Sequence, residues 1–137
     1  MPYSQVDPDL KAKIKSLTFE YLDRPQPELL ITVPNPHPDL DYIVKLVYPE
    51  FTSLCPLAPT QPDYATITVE YTPSESILEL KSTKFYFVAY RNVDIFHEAV
   101  VGQILKDLSN ACKPKWIKVS GEFTVRGGIS TTITARL

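Results

Sequence analysis

Cys55 and Asp63 stand eight residues apart in the segment LCPLAPTQPD, and this pair carries the sharpest chemistry in the sequence. A thiolate can attack an electrophilic carbon while a nearby carboxyl group passes a proton, which is the material of covalent catalysis. Three prolines between Cys55 and Pro62 stiffen the intervening chain, so it reads as a loop that follows a strand. The second cysteine, Cys112, continues an apolar stripe and reads as a small buried hydrophobe. His97 and Glu98 fall together near the start of a helix. As a solvated first turn, Glu98 would complement the helix dipole. As a site, the histidine would hydrogen-bond a reacting group, and the carboxylate would meet two adjacent N–H donors on a guanine-like edge. His37, in NPHPD, belongs to the surface of an N-terminal arm. Lys81 and Lys84 are three apart in ELKSTK; on a helix they share a face, on a strand they diverge. Arg126-Gly127-Gly128 is a turn whose glycines let backbone N–H groups approach an anion while the arginine grips it. Neither a GxGxxG nor a Walker A motif is present, so a dinucleotide would be held without a Rossmann fold.

The elements that must position these residues follow from periodicity. The 137 residues make one domain, or one domain with an arm: residues 1–40 read as a proline-rich arm with a short strand and 41–137 as the domain that follows it. Twelve of thirteen prolines precede residue 74, and LLITV in the arm predicts a short strand over Leu29–Val33. Tyr42–Phe51 predicts a strand interrupted by Pro49, and ATITVEYT over residues 65–72 alternates cleanly, with Ile67, Val69 and Tyr71 on one face. Residues 78–91 are ambiguous: their aromatics and Val favour a strand, while Leu, Lys, Glu and Ala favour a helix. Val93, Phe96, Val100, Ile104, Leu108 and Cys112 recur at helical steps, which predicts a helix over 93–112 capped by Asn92 or Asp94. Ile117, Val119, Gly121, Phe123 and Val125 share one face of a further strand, and ISTTITARL forms the last, joined through Gly127-Gly128. Strand pairs flanking a helical block define an α+β domain with helices on one face of an antiparallel sheet.

Composition narrows the function classes. Fourteen basic residues against sixteen acidic ones give a net charge of −2, which argues against direct nucleic-acid binding through phosphate charge. No apolar run has the length of a membrane span, and the N-terminus lacks a signal-peptide core, so the expected setting is soluble and cytoplasmic. Two cysteines and two histidines leave no disulfide scaffold and no closed zinc site, so no metal is expected.

Four blocks taken in order, FTSLCP with QPD downstream, ELKSTKFY, YRNVDIFHE and FTVRGGIS, resemble the NADPH-dependent 7-cyano-7-deazaguanine reductases, the nitrile reductases of queuosine biosynthesis. The resemblance runs from about Asp41 to the C-terminus. ELKSTKFY departs from the family signature at Thr83 and Phe85, and the Cys55–Asp63 segment is one residue longer than the family's, which implies a bulge ahead of Asp63. The resemblance implies a tunnel fold of two strands, two helices and two strands, with the barrel closed by oligomerisation and active sites between subunits of stacked rings. It implies that residues 79–90 are helical. It further implies Cys55 as the nucleophile forming a thioimide, Asp63 as the proton donor, and His97 beside the reacting group. Leu78, Glu79, Leu80, His97 and Glu98 would bind the 7-deazapurine, and Leu80, Lys81, Lys84, Arg126 and Gly127 would contact NADPH. Two other readings remain open: the archaeal branch, which adds ammonia to the nitrile on tRNA without hydride, and a non-catalytic purine-binding subunit.

Overall fold

The computed structural model describes residues 6–137. Its elements are α1 (Pro8–Lys15), β1 (Thr32–Pro34), β2 (Val44–Cys55), β3 (Ala58–Thr72), β4 (Ser76–Leu78), α2 (Leu80–Val88), α3 (His97–Cys112), β5 (Trp116–Arg126) and β6 (Ile129–Arg136). Strands β2, β3, β5 and β6 form an antiparallel sheet in the order β2-β3-β5-β6, and β1 pairs with β4 in a second, two-stranded sheet. The α+β order of two strands, two helices and two strands is as expected. The short β1–β4 sheet and α1 are additions to it.

The period-two face of β3 is buried as its alternation dictates: Ile67, Val69 and Tyr71 are shut from solvent, packed with Ile117, Val119 and Phe123 of β5. Val100, Val101, Ile104 and Leu108 of α3 and Tyr86 and Phe87 of α2 cover them, so both helices lie on one face of the sheet. Thr66, Thr68, Glu70, Lys118 and Ser120 occupy the other, polar face. Gly121 leaves room for α3 against β5, because a Cβ there would lie 2.8 Å from both Val101 Cγ2 and Phe123 Cε2. Gly121→Ala is therefore expected to cost about 1–3 kcal/mol through overpacking, which a denaturant titration would read as a lower midpoint at unchanged slope.

Several sequence expectations shift. The segment read as a loop from Cys55 to Asp63 is the tip of the β2–β3 hairpin, with Cys55 paired to Ala58 and Leu54 to Pro62. Residues 59–61 are left over between those pairs, and this is the bulge that the longer segment required. Pro49 does not end β2. Between the pairs Tyr48↔Ile67 and Phe51↔Ala65, Pro49 and Glu50 oppose one residue of β3, so the missing N–H falls in a bulge on an outer strand. In the arm, the strand expected over Leu29–Val33 is a 3-10 turn at Pro27–Leu29 followed by β1, since only Thr32–Pro34 find partners on β4. The arm also forms α1, whose signal lay in VDPDLK: Asp7 accepts the Asp9 N–H at 2.9 Å and Pro8 takes the first turn.

The ambiguous segment is helical, as α2 followed by a 3-10 turn at Ala89–Asn92. Glu79 caps it, its oxygens accepting the N–H groups of Ser82 at 2.7 Å and Lys81 at 3.1 Å. The helix predicted from residue 93 starts at His97, and neither Asn92 nor Asp94 caps it. Leu54 instead captures the preceding backbone, its N–H donating to Val93 O at 2.9 Å and its carbonyl accepting the Ile95 N–H at 3.1 Å. Phe96 consequently becomes the N-cap and is half exposed, outside the core stripe assigned to it.

Candidate active site

Two bulges decide which side chains meet. Val44, Leu46 and Tyr48 pack toward the core in the first half of β2; after Pro49-Glu50 the inward residues are Phe51, Ser53 and Cys55. One inserted residue moves a strand's whole inward set to the other parity, and this brings Cys55 to the same face as Asp63, which pairs with Ser53. The second bulge lies in β5. Between Phe123↔Thr131 and Arg126↔Ile129, residues 124 and 125 oppose residue 130 alone. Val125, expected on the buried face, is exposed, and Arg126 turns inward instead. Gly127 and Gly128, at φ +58° and +81°, then close a tight turn that only residues tolerating positive φ can make.

The result is a cleft of about 200 Å³ lined by Cys55, Pro56, Asp63, Phe96, His97, Glu98 and Arg126. Asp63 is buried and is gripped from two sides, by Arg126 Nη2 at 2.5 Å from Oδ1 and by His97 Nε2 at 3.2 Å from Oδ2. The imidazole of His97 stacks on Phe123 with centroids 3.8 Å apart and planes 10° from parallel, which fixes the ring that points at Asp63. The Cys55 thiol is held below its ordinary pKa by the backbone N–H of Leu57, assisted by Ala58 N–H and by the hydrogen bond and charge of Arg126, with burial opposing. Cys112 is the opposite case: buried in α3 and donating to Leu108 O at 3.3 Å, its thiol is pushed up to about 11 by desolvation. A reactive and an inert thiol are thus separated by environment. Glu98 is exposed in the first turn of α3, beside His97.

The remaining expected site residues do not line this cleft. Leu78 is buried in β4, its N–H donating to Tyr71 Oη at 3.0 Å. Glu79 is the cap of α2, and Leu80 is exposed beside it. Lys84 lies in a separate hollow with Leu80, Lys45 and Phe87. Lys81 reaches the arm: its ammonium donates to Ile14 O at 2.9 Å and Lys15 O at 3.0 Å, at the C-terminal end of α1. Gly127 is exposed at the turn after Arg126. Phe96 and Phe123 are site residues that periodicity hid, since both sit at positions that read as core. Among the described residues no three His, Cys, Asp or Glu side chains converge as a metal site.

An antiparallel sheet backed by two helices defines an α+β domain, and Cys55 shares its cleft with the buried Asp63. Residues 62–137 match the family model described as QueF-like protein. The chain is 49% identical to the NADPH-dependent 7-cyano-7-deazaguanine reductase of Chloroherpeton thalassium over 80% of its own length and 94% of that protein. It is 50% identical to the protein of the same name from Nitrosococcus oceani, over 77% of this chain and 81% of the relative. Among solved structures, the apo form of the archaeosine synthase QueF-Like superimposes with a TM-score of 0.64 at 26% identity, covering 69% of this chain and 91% of that one. The chain belongs to the QueF-like family, on the branch of its NADPH-dependent 7-cyano-7-deazaguanine reductases.

Proposed function

We propose that this protein reduces the nitrile of 7-cyano-7-deazaguanine to an aminomethyl group with two NADPH, through a covalent thioimide on Cys55, as a step toward queuosine in tRNA. The observation that carries the reading is the juxtaposition of Cys55 with Asp63, His97 and Arg126 in a chain half identical to reductases of that name. The Cys55 thiolate adds to the nitrile carbon while the nitrogen takes a proton from the Asp63–His97 pair, giving a thioimide whose C=N is a better hydride acceptor than the nitrile. NADPH, when bound, supplies a hydride at each of two stages. After the first, with a second proton to nitrogen, the carbon is tetrahedral and bears both the amine and the sulfur. Cys55 then leaves as thiolate, the nitrogen gives up a proton, and the free imine accepts the second hydride and a proton to become the amine. His97, fixed on Phe123, restores protons to Asp63 from the cleft mouth, and Pro56 and Phe96 keep bulk water from the imine.

The reading includes an assembly of several copies. The cleft is smaller than the roughly 300–1,000 Å³ of small-molecule sites, and Leu78, Glu79 and Leu80 do not line it. The outer strands β2 and β6 carry exposed Val47 and Ile129, and exposed Ile43 lies just ahead of β2. In this reading a neighbouring copy brings its α2 end to the Cys55 cleft, the sheets continue across subunits into a closed barrel, and edge exposure is relieved. NADPH fits the chemistry of Lys81, Lys84 and Arg126, whose charges suit its phosphates, with Gly127 opening backbone beside them.

Lys81 spends two of its three ammonium donors on the Ile14 and Lys15 carbonyls, so α1 competes with a phosphate for it. The 8-residue α1 has no buried residue of its own, and an isolated helix under roughly 12 residues is marginal. Removing residues 1–16 is expected to tighten NADPH binding by about threefold to tenfold, since the competing contact is gone. Fluorescence titration of the nicotinamide measures this, and an unchanged Kd would place the cofactor away from Lys81.

The reading as a whole is tested by mixing protein, nitrile base and NADPH and following the nicotinamide absorbance. Loss of two equivalents per aminomethyl product is expected. The likeness to the archaeosine synthase favours one rival, amidine formation from ammonia, which would consume no NADPH. The 49% identity to a reductase, against 26% to that synthase, supports the reductase reading.

A further inference from the structure

We propose that Arg126 is a positioning residue for the covalent step: its guanidinium holds Asp63 in place and sets the charge environment of Cys55, whatever grip it also has on cofactor phosphate. The inference rests on the proposed nitrile reduction and assigns Arg126 a role at a stage before any cofactor is needed. A side chain kept only for a phosphate would be expected to wait in solvent. The β5 bulge instead aims Arg126 at the buried carboxylate, with its side chain still 39% exposed. It flips Arg126 from the outward parity it would have after Phe123 to the face of Cys55 and Asp63 and leaves the apolar Val125 exposed in exchange. Exposing a valine to bring a guanidinium inward is unfavourable for folding alone, which is the pattern of a residue placed for function.

The geometry says what the inward arginine does. Asp63 is 6% exposed, and a carboxylate so buried needs a paired charge. Arg126 Nη2 supplies it at 2.5 Å. The charged and titratable groups lining the cleft are Cys55, Asp63, His97, Glu98 and Arg126, so Arg126 is the one permanent cation among them. Its charge opposes those of Asp63 and Glu98, which would otherwise discourage a thiolate at Cys55. The hydrogen bond and charge of Arg126 lower the Cys55 thiol, after the larger effect of the Leu57 N–H. One planar group therefore holds the Asp63 carboxylate in place and favours the nucleophile, and a lysine keeps the charge without the planar, fixed geometry.

Two measurements without NADPH test this on the full chain: peptide-resolved iodoacetamide labelling of Cys55 across pH, and the rate of adduct formation with the nitrile base by intact-mass spectrometry. Arg126→Ala is expected to move the onset of labelling to higher pH and to slow adduct formation by about threefold to tenfold. Arg126→Lys is expected to restore the labelling profile but only part of the adduct rate, because a lone ammonium fixes Asp63 Oδ1 less firmly against the His97 contact at Oδ2 than the planar guanidinium does. Wild-type labelling and adduct rates in Arg126→Ala, with only KM for NADPH raised, would overturn the proposal and leave Arg126 a cofactor ligand. Should Arg126→Ala fail to fold, Arg126→Lys decides alone: labelling as in wild type with slower adduct formation supports the role, and adduct formation at the wild-type rate overturns it. If the wild type itself forms no adduct, the nitrile reading fails, while the labelling profiles still show whether Arg126 governs the thiol.

Discussion

Cys55→Ala will form no adduct with the nitrile base and will lose turnover by roughly four orders of magnitude or more, the scale seen when a covalent nucleophile is removed. Its melting temperature should stay within about 2–4 °C of the parent, because the side chain is partly exposed at a hairpin tip and fills no core space. Cys112 supplies the internal control. It is buried, and its thiol is pushed up to about 11, so it should not alkylate in the native protein. The Cys55 thiol lies below its ordinary value, so its thiolate fraction, and with it the rate of adduct formation, should reach a plateau at lower pH than for an unperturbed cysteine. An adduct persisting in Cys55→Ala would sink the covalent mechanism outright.

The second large effect is at Asp63. Asp63→Asn keeps the shape and retains acceptors and donors for Arg126 and His97, but an amide cannot hand over a proton. Turnover should fall by roughly 10²–10⁴, the range of a lost general acid. The split between steps is the informative part: His97 still lines the cleft and can supply the first proton, so adduct should still appear by mass spectrometry and should accumulate, because the later protonations lack Asp63. If Asp63→Asn instead stopped the adduct and spared reduction of a preformed thioimide, the carboxylate would be serving the thiol and not the nitrogen. Asp63 is buried between Arg126 and His97, so thermal unfolding of the variant should be checked alongside.

Much of the fold is legible residue by residue. The alternation of residues 65–72 required a half-buried strand, the steps from Val100 to Cys112 required a helix with one apolar face, and Gly127-Gly128 required a turn. Each is a local pattern with a strong burial consequence. Residues 78–91 were not legible from propensity, because Glu79 decides them as a cap and a cap is recognised only by the backbone groups it satisfies. The start of α3 was misplaced for a tertiary reason: Leu54, some forty positions earlier, takes the backbone of Val93 and Ile95 that would have made its first turn. Nothing in NVDIF signals that partner.

For the site the division is similar. Residue types and spacing named Cys55, Asp63, His97, Glu98 and Arg126 as the groups with chemistry to offer, and one cleft holds all five. What the linear order could not contain is parity. Cys55 faces Asp63 only because Pro49-Glu50 inserts one residue into β2, and Arg126 reaches Asp63 only because residues 124 and 125 share one partner in β6. A bulge is a choice of register between two strands, so it exists only once both are paired, and the direction of every side chain beyond it follows from that pairing.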